Sequence, residues 1–241
     1  MPVAPLARPG GWEAAGRTDL AALADAVAAR YAGASRFARG FVAGKLRHDP
    51  ATLTLLRLAA RDPFGAVVDL GCGRGQLGLA LLSAGLAERL TGLDHDRAKL
   101  TEARGAATGL AADFAEADLA APDPALPECD TLLMVDMLYQ LPEAAQRPLL
   151  AAAARAARRR VAVRAFDPDR GWRSAAGLAM EVLGRAWRSD RNAIHPLPLA
   201  AVAAPFEAAG FAVSVTPCWG NTPLPNVLLV AERSPAGRPG A

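Results

Sequence analysis

Residues 66–78 read Ala66-Val67-Val68-Asp69-Leu70-Gly71-Cys72-Gly73-Arg74-Gly75-Gln76-Leu77-Gly78, and the fold follows from how this stretch is read. Small and branched apolar residues lead into glycines at alternate positions, after which Leu77, Leu79, Leu81 and Leu82 begin an apolar helical face. The pattern predicts a buried parallel strand, a turn that suits glycine, and the N-terminus of a helix. Such a turn lets a ligand press against the backbone, and the helix N-terminus offers unpaired N–H groups. Three alternating glycines also cost chain entropy, which an ordinary strand–turn–helix has no reason to lose. The expectation is a nucleotide or nucleoside pocket.

The spacing argues against a dinucleotide. The fingerprint G-x-G-x-x-G needs its third glycine at 76, where Gln76 stands, and the glycine comes one place early at 75. Asp69, two residues before Gly71, would repel a pyrophosphate and attract an amino or sulfonium group. Asp69-Leu70-Gly71-Cys72-Gly73-Arg74-Gly75 resembles the first motif, D/E-x-G-x-G-x-G, of the class I S-adenosylmethionine (SAM)-dependent methyltransferases. The resemblance implies an α/β, Rossmann-like sheet of seven mostly parallel strands ending in an antiparallel hairpin. It also implies SAM as cofactor, with Asp69, Gly71, Cys72, Gly73 and Gly75 around it.

Three later segments fall where that family needs them. Leu90-Thr91-Gly92-Leu93-Asp94 predicts a second apolar strand ending in a carboxylate about 20 residues past the turn, the place for gripping ribose hydroxyls. Asp94, with His95 beside it, therefore joins the cofactor set, although Asp94 also reads as the N-cap of a helix over 96–108. Phe114–Leu119 resembles the third motif, implying that Asp118 accepts from the adenine amino group and the Leu119 N–H meets a ring nitrogen, with Asp113 as a rival. Cys129–Leu141 resembles the fourth strand, whose end faces the methyl group, and this assigns Asp136 to the cofactor. Tyr139-Gln140 stands where His-His is common in that family.

Composition agrees with a compact cytoplasmic enzyme. The 241 residues suffice for one generous core, and 52% of them are hydrophobic, alanine being prominent. No apolar run of about 18 residues is free of Pro, Gly or charge, so no membrane span is expected. Cys72, Cys129 and Cys218, like His48, His95 and His195, lack metal-ligand spacing, and no metal is expected. The net charge of +3 comes from scattered arginines. The densest group, Arg155 with Arg158-Arg159-Arg160, reads as closing a helix over 146–158, where cations suit the dipole. Aromatics do not interleave with basic residues, so nucleic acid is not an expected partner.

Before the glycine turn, Leu20, Leu23, Ala24, Val27 and Tyr31 repeat at helical spacing after Thr18 or Asp19 as N-cap. A second helix over 35–46 carries Phe37 and Phe41, and Asp49-Pro50 opens a third. Residues 1–62 are thus expected to form a disordered lead and a helical cap, 63–235 the SAM-binding domain and 236–241 a disordered tail. The N-terminus lacks a signal-peptide pattern. Strands and helices alternate from 66 to 165, which predicts a parallel sheet with its ligand beyond the strands' carboxyl ends. A helix over 174–188, another over 199–209 kinked at Pro205, and strands over 211–218 and 226–232 complete the chain. Those two consecutive strands predict the antiparallel hairpin.

Methyl transfer is an in-line displacement that needs alignment more than acid–base help. Tyr139, His195 and Asp136 are the candidate catalytic residues, and Tyr31, Phe37, Tyr139, Trp172 and Arg173 the candidate substrate contacts. The expected acceptor is a small molecule, with oxygen the receiving atom. Residues 36–50 faintly resemble small methyltransferases of aryl-polyene pigment gene clusters, which implies a hydroxyaryl or polyketide-like substrate. Two other readings stay open: an NAD-linked oxidoreductase, and a SAM-binding partner protein without catalysis. Nothing in the sequence sets the oligomeric state.

Overall fold

The computed structural model describes residues 17–175, 177, 194–219 and 224–233. The expected N-terminal lead and C-terminal tail, and most of the helix expected over 174–188, lie outside the described residues. Seven strands form one mixed sheet in the order β3-β2-β1-β4-β5-β7-β6. The chain divides into two compact units, the first running to Asp118 with Cys129–Thr131, the second holding Leu119–Glu128 and everything from Leu132. No described helix is long and apolar enough to cross a membrane.

The first unit begins with α1 (Arg17–Ala29), α2 (Arg36–His48) and α3 (Pro50–Arg61). Because α1 begins at Arg17, the expected cap at Thr18 or Asp19 falls inside the helix. Ser35 caps α2 by accepting from the Ala38 N–H at 3.1 Å. Asp49 caps α3, its Oδ2 accepting from the Thr52 N–H at 3.0 Å, and Pro50 follows at the first helical position. Leu23, Val27, Val42, Leu46, Leu55 and Leu56 bury the apolar faces of these helices. Next come β1 (Ala66–Leu70), α4 (Gln76–Ser83), β2 (Arg89–Asp94), α5 (Arg97–Ala106) and β3 (Ala112–Glu116). The strands β1, β2 and β3 pair in parallel, with Asp69 beside Gly92 and Asp94 beside Glu116. All five residues of β1 are buried, as a strand covered on both faces requires.

The strand β4 (Cys129–Val135) belongs to both units. The second unit continues with a 3-10 turn over Leu138–Gln140, then α6 (Glu143–Ala156), β5 (Ala157–Phe166), α7 (Leu199–Ala208), β6 (Ala212–Pro217) and β7 (Asn226–Glu232). The expected C-terminal hairpin is present, β6 and β7 pairing antiparallel with Ala212 opposite Glu232. The helix α7 continues through Pro205 to Ala208.

A second sequence expectation, besides the α1 cap, is corrected here. Arg158-Arg159-Arg160 does not close a helix: α6 ends at Ala156, and the three arginines open β5. Pairing decides the outcome, because β5 lies antiparallel to β7 with Arg160 opposite Glu232. The Arg160 guanidinium, only 4% exposed, meets that carboxylate at 2.7 Å, a cross-strand ion pair no helix would offer. Arg158 reaches Glu128 at 2.6 Å. Arg155 alone remains in the last helical turn.

Candidate functional site

The glycine turn joins β1 to α4 within the first unit. Gly71, Gly73 and Gly75 hold φ of 65°, 56° and 73°, in the left-handed region that L side chains rarely occupy. Gly71 and Cys72 donate their N–H groups to the Leu93 carbonyl at 2.7 and 3.1 Å, tying the turn to β2. Two of the glycines serve different ends. A Cβ on Gly75 would stand 2.5 Å from the Phe114 ring, so that glycine exists for packing. A Cβ on Gly73 would find only the Lys99 Cδ, at 4.0 Å, so this backbone faces open space.

Asp94 holds the turn from the end of β2. Its Oδ2 accepts from the Gly73 N–H at 2.7 Å and its Oδ1 from the Asp96 N–H at 2.9 Å. The cap of α5 is Asp96, whose side chain accepts from Ala98 and Lys99, so the capping role considered for Asp94 belongs to Asp96. His95 is largely exposed, its Nδ1 3.5 Å from the Asp94 carboxylate. The strand β3 ends at Glu116, leaving Asp118 exposed two residues beyond it and Leu119 buried. Asp113 sits exposed within the strand.

Asp69 is 4% exposed, and its carboxylate holds no hydrogen bond among the described residues. Burial, and then the like charge of Asp94, push its carboxyl up to about 7. The same burial, followed by Asp69 and Asp94, raises the Cys72 thiol far above the usual range, so Cys72 lines the turn as a neutral group. Two buried carboxylates beside an open glycine backbone fit a cationic ligand, which would relieve their repulsion. A pyrophosphate would add to it. The residues present therefore fit a sulfonium nucleoside. No group of His, Cys, Asp and Glu among the described residues forms a metal site.

Arg74, between Gly73 and Gly75, fastens the turn to α2, to α5 and to the turn that follows α1, and sequence reasoning missed it. Its carbonyl accepts from the Tyr31 hydroxyl at 2.5 Å, its Nε meets Glu102 on α5 at 2.5 Å, and its guanidinium lies 6.0 and 5.5 Å from the Phe37 and Phe41 ring centres. Tyr31 is 1% exposed and burial raises its hydroxyl, which stays protonated and donates. Tyr31, expected to touch substrate, thus has its hydroxyl engaged by the turn instead.

The predicted catalytic residues Asp136, Tyr139 and His195 all lie in the second unit. Asp136 directly follows β4 with φ 59°, the one left-handed non-glycine among the described residues, and such outliers cluster at functional sites. Its carboxylate takes a 2.9 Å hydrogen bond from Arg164 Nη1, and its carbonyl accepts from the Gln140 amide. The Tyr139 carbonyl accepts from the His195 N–H at 2.7 Å, and the Tyr139 ring packs 6.3 Å from Phe166. Gln146, fully buried on α6, donates to the Leu141 and His195 carbonyls at 2.9 and 2.7 Å and so fixes the bend that carries the histidine. Arg164 was signalled only by being a lone charge inside the apolar run Val161–Phe166, and Gln146 had no signal.

Trp172 and Arg173 follow a knotted polar loop. Asp167 binds the Asp169 N–H at 3.0 Å and Arg170 at 2.8 Å, while its carbonyl accepts from the Ser174 hydroxyl. The Arg173 guanidinium lies 5.1 Å from the Trp172 ring centre and 4.3 Å from that of Trp219. Trp172 itself is 68% exposed.

Residues 67–160 match the family described as a methyltransferase domain. Magnesium protoporphyrin IX methyltransferase from Synechocystis PCC 6803, solved with bound SAH, shares the fold at a TM-score of 0.61 and 22% identity, over 80% of this chain and 87% of that one. The S-adenosylmethionine-dependent methyltransferase SibL, in its apo form, aligns at 0.59 with 26% identity, over 83% of this chain and 58% of that one. The pyocyanin biosynthetic protein PhzM shares the fold at 0.57 and 24% identity, over 81% and 58% of the two chains. No curated protein matches the chain. A methyltransferase-domain match thus runs from the glycine turn into β5, and the chain around it has the Rossmann-like fold of the class I S-adenosylmethionine-dependent methyltransferases.

Proposed function

We propose that the chain methylates a hydroxyl oxygen of a small molecule, using SAM. The observation that carries this reading is Asp69: a buried carboxylate, lifted to about 7 and lacking any hydrogen bond among the described residues, beside the open backbone of Gly73. When bound, SAM supplies a methyl group on a positively charged sulfur. Asp69 answers a cationic group, Asp94 and His95 face the ribose, Asp118 and the Leu119 N–H take the adenine, and Asp136 completes the cofactor set. Gly71, Cys72, Gly73 and Gly75 shape the surface on which the nucleoside rests.

Alignment of acceptor and methyl group supplies roughly 7–11 kcal/mol in reactions of this kind. Phe37 is the acceptor contact of the first unit, with Tyr31 acting behind it through Arg74, and Tyr139, Trp172 and Arg173 are the acceptor contacts of the second. Because Arg164 already pairs with the Asp136 carboxylate, proton removal falls to the exposed His195, and Tyr139 orients the hydroxyl. A general base adds a factor of about 10² to 10⁴, so His195→Ala should lower turnover by that much while SAM affinity stays put.

The test is transfer of a radiolabelled methyl group from SAM into a metabolite extract. Label in an extractable, esterase-stable small molecule supports the reading. Label only in macromolecules, or none above a Gly73→Val control, overturns it.

A further inference from the structure

Among the described residues four large apolar side chains stand exposed: Phe37 at 73%, Phe41 at 39%, Trp172 and Val215. Two of the four stack on each other along α2, their centres 6.4 Å apart and their planes 26° from parallel. Paired aromatic surface left in water is a ligand feature rather than a packing one. The same helix, Arg-Phe-Ala-Arg-Gly-Phe-Val-Ala-Gly-Lys-Leu-Arg-His, contains no acidic residue. Lys45 pairs with Asp49 and Arg47 with Asp25, whereas Arg36 and Arg39, both exposed, hold no ion pair among the described residues. At Gly40 and Gly44 an added Cβ would meet nothing within 4 Å, so the helix backbone beside the rings is bare.

We propose that the Phe37–Phe41 face of α2 is the docking platform for a planar, anionic aromatic acceptor. The rings offer a stacking surface, and Arg36 and Arg39 supply the uncompensated positive charge that a carboxylate or phenolate needs. Position selects a substrate over a lipid surface or a second protein. The guanidinium over both rings is that of Arg74, whose backbone is part of the glycine turn. A flat acceptor on this face therefore lies against the residue that shapes the cofactor's seat. The proposal rests on the methyltransferase reading and narrows its substrate class.

The test titrates 6-hydroxy-2-naphthoate, followed by its own fluorescence, into the full chain saturated with S-adenosylhomocysteine, with its neutral methyl ester alongside. The acid should bind about fivefold tighter than the ester, and the Phe37→Ala/Phe41→Ala chain should lose roughly tenfold in affinity for both. Arg36→Gln/Arg39→Gln should abolish the preference for the acid. The Arg36→Gln/Arg39→Gln chain should retain the parent's melting temperature and its affinity for S-adenosylhomocysteine to within about twofold. No naphthoate binding, or binding indifferent to these substitutions, overturns the docking proposal alone. Aromatic-dependent capture of phosphatidylglycerol vesicles in place of the naphthoate also overturns it. Failure of the parent to bind S-adenosylhomocysteine overturns instead the methyltransferase reading beneath it.

Discussion

Asp69 and Asp136 both follow apolar strand residues, one inside β1 and one just past β4, yet the protein treats the two carboxylates in opposite ways. Asp136 is met by Arg164 at 2.9 Å and sits on a left-handed backbone that nothing but its surroundings maintains. Asp69 receives no cation among the described residues; its neighbour is another acid, and its proton is held up to about 7. The first carboxylate is neutralised in advance and works as part of a rigid frame. The second is left as a charge deficit that a ligand must complete. A fold that tolerates the second arrangement gives up stability in the free state and recovers it on binding.

The sharpest way to break this contrast lies in the turn beside Asp69. Gly75→Val should destabilise the chain by about 3 kcal/mol or more, since the new side chain meets Phe114 and a positive φ is costly for a branched residue. Gly73→Val, at a similar φ but in open space, should lose less stability yet abolish SAM binding. Thermal melts with calorimetry separate the two effects, and equal loss of stability in both would remove the distinction between a packing glycine and a binding one.

At the other carboxylate, Arg164→Met should cost about 2 kcal/mol by denaturant melts, below the range for fully buried pairs because the Asp136 side chain is 24% exposed. Asp136→Asn in that background should restore part of it, so the coupling in a double-mutant cycle comes out favourable for the native pair. Additive losses would mean that the pair is incidental to the frame. The smallest effect is expected at the clamp. Tyr31→Phe removes one hydrogen bond to the Arg74 carbonyl and should cost about 1 kcal/mol of stability, with a modest rise in the SAM dissociation constant. A Tyr31→Phe chain that gains stability would show the clamp to be strained.

Legibility in the sequence divides along the same line. The turn could be read because glycines at alternate positions after an apolar run have few other uses, and the structure puts all three at positive φ. The parallel strands and the terminal hairpin were equally plain, since period and length specify them. What the sequence hid were partnerships between residues far apart. Nothing near Asp136 announces Arg164, and Arg74 looks like a filler between two glycines until Tyr31, Glu102, Phe37 and Phe41 close around it. Three consecutive arginines looked like a helix end because local charge was weighed without the distant Glu232 that draws Arg160 into a strand. Local rules identify elements, whereas the charges that decide a site are paired across the fold.

The central claim, that Asp69 waits for a cation, makes free stability and binding depend on pH in a linked manner. A carboxyl raised in the folded state contributes fully to stability below its ordinary range near pH 4, and that contribution is lost by about 1.4 kcal/mol per unit as pH climbs toward 7. Binding of a sulfonium should then drive the remaining proton off. Calorimetry of SAM binding at pH 7, in buffers of different ionisation enthalpy, measures this directly. The account predicts release of about half a proton per SAM bound, vanishing in Asp69→Asn. Binding with no proton released, or with the same release in Asp69→Asn, would contradict it.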